Sequence, residues 1–280
     1  MLRKCLILFC LILQSIAYGN SPPAEYALLT IPKSGSHLLI KLLYLMCDLH
    51  PQWHVKPQSL QDLSADGKYP YTHFCLSAEL LNFYSNSPQI KKIIGVRDLR
   101  DVCVSIVHQI LKGTWPEFTG NKEKLEWFKG LSFDDQLMYV ICQEYQNNVP
   151  HAKLQLGIAK SAAQAVVFCQ DPNVLVCRFE DLVGLQGGGD DAVQKNEVAR
   201  IADFLGLSLF PPEIEHLAAQ LYGNAVNPFG MDDFSKYQST FRSGKIGSWK
   251  KFFKPRHIAA FKERLGSALI ALGYENDNNW

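Results

Sequence analysis

The sequence carries almost no net charge: 28 Lys and Arg against 27 Asp and Glu leave a formal +1 over 280 residues. A general binder of nucleic acid or of a membrane surface needs a larger basic surplus, so any anion site must be local. No C-x-x-C pair occurs among the eight cysteines, which removes the usual zinc and redox motifs; no metal site is expected. There is no N-x-[ST] sequon, since Asn20 and Asn86 are each followed by Ser and then Pro. That absence counts against a glycosylated secretory protein. The chain has no internal repeat. Its hydrophobic content of 47% is ample for a buried core, and the length suits one large α/β domain better than two small ones.

The longest apolar run lies at the N-terminus. Arg3 and Lys4 precede Cys5 to Leu13, and the small residues Ala17 and Gly19 stand before Asn20. This layout predicts a secretory signal peptide over residues 1–19 and a single domain over 20–280, with the secretory pathway or export as the address, and the cytoplasm if the segment is not used. The run is short for a membrane span, and a membrane anchor is expected only if the segment stays uncleaved. Removal leaves Cys47, Cys75, Cys103, Cys142, Cys169 and Cys177, scattered singly through apolar segments as small buried hydrophobes.

The stretch around which the chain is organised is YALLTIPKSGSHLL, Tyr26 to Leu39. An apolar run ends at Pro32, a Lys-Ser-Gly-Ser turn follows, and helical spacing begins at Leu38. Strand, tight loop and helix in that order present backbone N–H groups and the positive end of a helix dipole to an anion. Lys33 adds a full charge, Gly35 permits close approach, and Ser34, Ser36 and His37 add donors. The match to a Walker loop fails, because Lys33 precedes the only glycine.

Strand-to-helix junctions recur. Lys91 to Val96 runs through Arg97 into a helix marked by Val102, Ile106, Val107 and Ile110, and Asn173 to Cys177 runs into Arg178, Phe179, Glu180 and Asp181. Tyr69 to Phe74 forms another short strand, ending at His73. The alternation predicts an α/β fold: a central parallel sheet with helices on both faces and a P-loop-like anion loop. Ligands bind beyond the carboxyl ends of such strands, where Lys33, His73, Arg97 and Arg178 can converge. Gly113 to Gly130, holding Trp115, Pro116, Phe118 and Trp127, reads as a substrate-facing lid. Gly187 to Gly189 reads as a mobile surface loop. Helices are expected over Ser132–Asn147, Ala152–Ala165, Ala192–Leu205, Pro212–Tyr222 and from Pro255 to about Leu272.

PKSGSHLL, YTHFCL, VRDLRDVCVS, RFEDL and FRSGKIGSWKKFF, in this order, resemble the PAPS-dependent sulfotransferases over about Tyr26 to Tyr274. The resemblance implies 3′-phosphoadenosine 5′-phosphosulfate (PAPS) as sulfuryl donor and no metal. It implies that Lys33, Ser34, Gly35, Ser36 and His37 hold the 5′-phosphosulfate, with Lys33 on the leaving phosphate. Arg97 and Ser105 fall at the family's 3′-phosphate site; Arg242, Ser243 and Gly244 fall in its cap segment. His73 matches the catalytic base, and His37 is a rival for that role. Leu38 stands where a tryptophan often packs on adenine, Phe179 replaces a common tyrosine, Tyr71 replaces a lysine, and Ser243 replaces a basic residue for which Lys245 can substitute. The dimerisation motif of cytosolic members is absent after Phe253, so a monomer is expected.

The acceptor is left open by the residues: a small hydroxylated molecule, an amine, a glycan or a protein hydroxyl all suit, and nucleic acid does not. Two other classes stay in view. A P-loop kinase needs a Walker lysine and a magnesium-holding carboxylate, neither of which is placed. A non-catalytic nucleotide-binding scaffold is kept in view by Tyr71 and Ser243.

Overall fold

The computed structural model describes residues 25–54, 67–74, 78–143, 157–223 and 243–280. The segment expected to be a signal peptide, residues 1–19, and Cys75 and Arg242 lie outside them. Five strands form one sheet: β1 Tyr26–Thr30, β2 His50–Trp53, β3 Lys68–His73, β4 Lys91–Val96 and β5 Val174–Arg178. All neighbouring pairs are parallel, in the order β2-β3-β1-β4-β5. β1 is buried along its whole length, which its unbroken apolar reading requires of a central parallel strand. β2, with Pro51 in it, takes the edge, where a missing amide costs least.

The helices are α1 Ser36–Cys47, α2 Ala78–Ser85, α3 Leu99–Leu111, α4 Lys122–Gly130, α5 Phe133–Cys142, α6 Ile158–Phe168, α7 Phe179–Leu182, α8 Gly184–Gly187, α9 Asp191–Leu205, α10 Pro211–Leu221 and α11 Pro255–Ala271, with a 3-10 turn over Ser248–Lys251 before the last. One face of the sheet is covered by α1, α9 and α10 through Leu39, Ile40, Leu43, Ile201, Leu205 and Leu217, packed on Leu28, Ile93 and Cys177. The other face is covered by α2, α3, α5, α6 and α11 over Ala27, Leu29, Ile94 and Val96. Alternate residues of β1 and β4 face opposite layers, as strand periodicity demands.

Two expectations are corrected. Gly113 to Gly130 is no open lid: Trp115, Phe118 and Phe128 are fully buried in the core beside α3, and the second half is helix α4. Trp127 alone among its large aromatics is exposed. Gly187 to Gly189 is the end of a short helix, α8, rather than an open loop. The Gly187 carbonyl accepts from the Ile246 amide at 3.1 Å, and a Cβ on Gly187 would sit 2.8 Å from the Gly244 carbonyl oxygen.

Close approach between α1 and the sheet depends on Gly95. A Cβ there would lie 2.7 Å from Leu39 Cδ1 and 2.8 Å from Thr30 Cγ2, below any ordinary contact. Gly95→Ala should therefore destabilise the fold by about 1–3 kcal/mol in urea unfolding, as overpacking does. An unchanged unfolding midpoint would show that α1 is not seated this tightly.

Candidate active site

Parallel register decides which side chains meet. Thr30, at the end of β1, is level with His73 on one side and Gly95 on the other. The chain then turns at Pro32. Lys33, at φ 68, and Gly35, at φ 96, both adopt left-handed backbone, and Gly35 forms the N-cap of α1. A non-glycine residue in that region costs roughly 1–2 kcal/mol, so the Lys33 conformation has to be held. Ser34 holds it: its hydroxyl donates to the Gly95 carbonyl at 2.9 Å and its amide to the Ile31 carbonyl at 3.1 Å. Ser34 is thus a brace, with both its hydrogens committed within the protein.

No side chain caps α1, and its first turn holds no acidic residue. The first amides of a helix have no partner within it, so this end is open to an anion. Lys33 Nζ donates to Gln109 Oε1 at 3.0 Å, and Gln109, on α3, donates in turn to the Thr114 hydroxyl. Gln109 is buried and was not visible as a site residue from sequence, since a glutamine in an apolar helix carries no motif. Leu38, one turn into α1, is half-buried against the Leu39–Leu43 layer.

His73 Nδ1 lies 2.7 Å from Thr30 Oγ1, and that oxygen lies 2.7 Å from Ser36 Oγ. Trp53 and Tyr71 set their rings 5.2 and 5.7 Å from the His73 ring, so the imidazole has an aromatic wall. Both histidines are held neutral. Burial pushes His73 down to about 3, helped by His37 and Lys33 and opposed by a hydrogen bond to the Thr30 backbone. Burial and the Lys33 charge push His37 down to about 4.

The second half of the site is built on the β4–α3 junction. Arg97 stacks over the Phe179 ring at 4.1 Å, donates to the Lys245 carbonyl at 2.9 Å and reaches Asp101 at 3.4 Å. Phe179 also fills the space over Gly35, where a Cβ would meet its ring at 2.6 Å. One phenylalanine thus spaces the loop from the arginine. Arg97 Nε is buried with no hydrogen-bond partner among the described residues, a donor left for a ligand. Ser105 is buried on α3, about two turns beyond Arg97.

The charged run Arg97 to Asp101 is buried rather than solvated. Asp98 caps α3 and clamps Arg100, whose guanidinium lies between the Trp249 and Trp280 rings at 4.0 and 4.4 Å. Asp101 accepts from the Gly247 amide, the Ser248 hydroxyl and the Trp249 amide, all within 2.9 Å. It therefore fixes the segment that carries Ser243, Gly244 and Lys245. Gly244 takes φ 60, the Ser243 carbonyl accepts from Tyr222, and the Lys245 ammonium donates to the Gln186 carbonyl.

Arg178 does not join this group. Its guanidinium serves the carbonyls of Leu272 and Gly273, at 2.9 and 3.3 Å, where the end of α11 favours a cation. Among the described residues no cluster of His, Cys, Asp or Glu could hold a metal, and no helix is long and apolar enough to cross a membrane.

Sheet, loop and stacked arginine together define an α/β protein of the class that holds phosphorylated nucleotides at the carboxyl ends of its strands. The sulfotransferase domain family model matches residues 23–273, and the chain belongs to that family. No curated protein is similar enough to count as a relative. Among solved structures, mouse sulfotransferase SULT7A1 complexed with PAP has the same fold at 18% identity and a TM-score of 0.58, covering 88% of this chain and 84% of that one.

The neutral histidines make stability depend on pH. Both folded-state values lie below the reference of about 6.5, so between that value and about 4 the unfolded chain binds more protons and stability is lost as pH falls. The urea midpoint should fall from pH 7 to pH 4.5, and His37→Gln/His73→Gln should flatten that slope. An identical slope in the double variant would mean that neither histidine is desolvated.

Proposed function

We propose that the chain transfers a sulfuryl group from PAPS to a hydroxyl or amine, with Lys33, Arg97 and His73 as its principal groups. The observation that carries this reading is the register of Thr30. It sets His73 beside the loop whose lysine and open helix end suit a phosphosulfate. The orphaned Nε of Arg97 suits a second phosphate, the 3′-phosphate of the same donor.

When bound, the donor supplies the sulfuryl group and leaves with the electron pair of the broken S–O bond as the 3′,5′-bisphosphate. Lys33 and the first amides of α1 stabilise the charge that develops on the leaving oxygen, and interactions stronger in the transition state than before it accelerate the reaction. His73 is neutral at working pH and takes the proton of the attacking acceptor, the negative charge of the bound donor offsetting the burial that lowers its proton affinity. Arg97 and Ser105 hold the remote phosphate, with Phe179 setting the angle of the guanidinium. Leu38, His37 and the Arg242-Ser243-Gly244 segment complete the donor site in this reading. Ser34 keeps the loop in its left-handed turn.

The same reading takes residues 20–280 as one catalytic unit that works as a monomer. Arg3, Lys4 and the apolar run after them support a cleaved leader and a secretory-pathway lumen supplied with PAPS. The acceptor is a small molecule, a glycan or a protein hydroxyl, met by the aromatic wall of Trp53 and Tyr71.

Calorimetric titration with adenosine 3′,5′-bisphosphate should give micromolar affinity, about −8 kcal/mol, and Lys33→Ala should weaken it at least about tenfold. With PAPS and a panel of hydroxylated acceptors, His73→Ala should abolish turnover while leaving bisphosphate affinity nearly unchanged. Turnover at the unsubstituted rate in His73→Ala would remove His73 as the base. No heat in a folded sample would remove the donor site.

A further inference from the structure

The Thr30 hydroxyl has no part in the mechanism above, yet it lies fully buried between His73 and the first residue of α1, 2.7 Å from His73 Nδ1 and 2.7 Å from Ser36 Oγ. We infer that Thr30 is a positioning residue that couples the tautomer of His73 to an anion in the loop, with Ser36 as the link. This rests on the reading of the loop as the site of the donor's 5′-phosphate.

A hydroxyl has one hydrogen to give, and the buried Thr30 oxygen meets only Ser36 and His73, so with that hydrogen kept inside the chain Ser36–Thr30–His73 can be filled in two ways. In the first, Nδ1–H donates to Thr30, Thr30 donates to Ser36, and the Ser36 hydrogen is left for a further acceptor. In the second, Nδ1 carries no hydrogen. Thr30 then donates to it, Ser36 donates to Thr30, and the ring hydrogen sits on Nε2.

Only the first arrangement serves both ends. Ser36 is the first residue of α1, beside the uncapped Gly35. With its hydrogen free it donates to a phosphate oxygen, whereas in the second arrangement it presents only lone pairs to an anion. At the other end the first arrangement leaves Nε2 bare and able to take a proton. An anion in the loop therefore selects the basic tautomer of a histidine about two side chains away. The proton taken onto Nε2 gives an imidazolium whose Nδ1–H stays on Thr30, so the same bond supports the charged form. The base is armed when the donor is in place.

The neutral state that two tautomers require is the one His73 occupies, since its burial holds it neutral at working pH. Thr30 is well suited to the task. It is in β1, level with His73 in β3, and its side chain cannot be displaced by solvent.

The test uses the full chain labelled with ¹⁵N-histidine, with ring-nitrogen shifts read before and after adding adenosine 3′,5′-bisphosphate and His73 assigned through His73→Gln. On saturation the unsubstituted protein and Thr30→Ser should show His73 as the Nδ1–H tautomer. Thr30→Val and Ser36→Ala should bind bisphosphate without that response. Ser36→Ala keeps the test alive if Thr30→Val fails to fold. A saturated, unsubstituted protein whose His73 stays protonated on Nε2 would overturn the coupling, as would a Ser36→Ala variant that responds like the unsubstituted chain. Calorimetry on the same samples separates these results from failure of the donor reading: no binding at all would overturn that reading and this coupling with it.

Discussion

The site depends on one register. β1 lies parallel between β3 and β4 so that Thr30, His73 and Gly95 come level at the carboxyl end of the sheet. A slip of one residue would turn every side chain of β1 to the opposite face. The Thr30 hydroxyl would leave His73, and the loop that Ser34 ties to Gly95 would lose its anchor. Burial on both faces is what fixes the register. Ala27 and Leu29 are packed on one side and Leu28 on the other, so no slipped pairing keeps the apolar surface covered.

On this frame the chain places two positive groups at the carboxyl end of the sheet and holds them differently. Lys33 is carried by a strained turn and held through Gln109. Arg97 is carried by the end of β4, stacked on Phe179, and balanced by Asp101, which also anchors Gly247 to Trp249. A stacked, desolvated guanidinium gains about 1–2 kcal/mol from the ring, and its orientation is fixed without using its Nε. Asp101 ties Arg97 to the segment from Ser243 to Lys245, which follows wherever Gly247 is held. Family membership gives the reaction class, and these contacts hold the two cations of the proposed site.

Much of this was legible in the sequence because it is local. An apolar run, Pro32, Gly35 and a helical repeat are enough to place strand, turn and helix, and the alternation of such units predicts the parallel sheet. What was not legible depends on partners far along the chain. The burial of Arg100 needs Trp249, Trp280 and Glu275, and the role of Asp101 needs Gly247. Trp115 and Phe118 read as substrate-facing because aromatics in a polar stretch look alike in a lid and in a core flap. Arg178 stands at a strand end like Arg97, but the carbonyls at the end of α11 take it away from the site. Thr30 and Gln109 carried no motif. The one available signal for Thr30 was a lone hydroxyl closing an apolar strand just before the loop.

The central claim is that one site holds two phosphates at once, the loop taking one and Arg97 the other. Calorimetry with adenosine 5′-phosphate beside adenosine 3′,5′-bisphosphate tests it most directly. The account predicts that the 3′-phosphate adds about 10- to 100-fold in affinity, the range of one or two charge-assisted hydrogen bonds, and that Arg97→Ala erases the difference while leaving the weaker ligand bound as before. An Arg97→Ala protein that still prefers the bisphosphate by the full factor would contradict it.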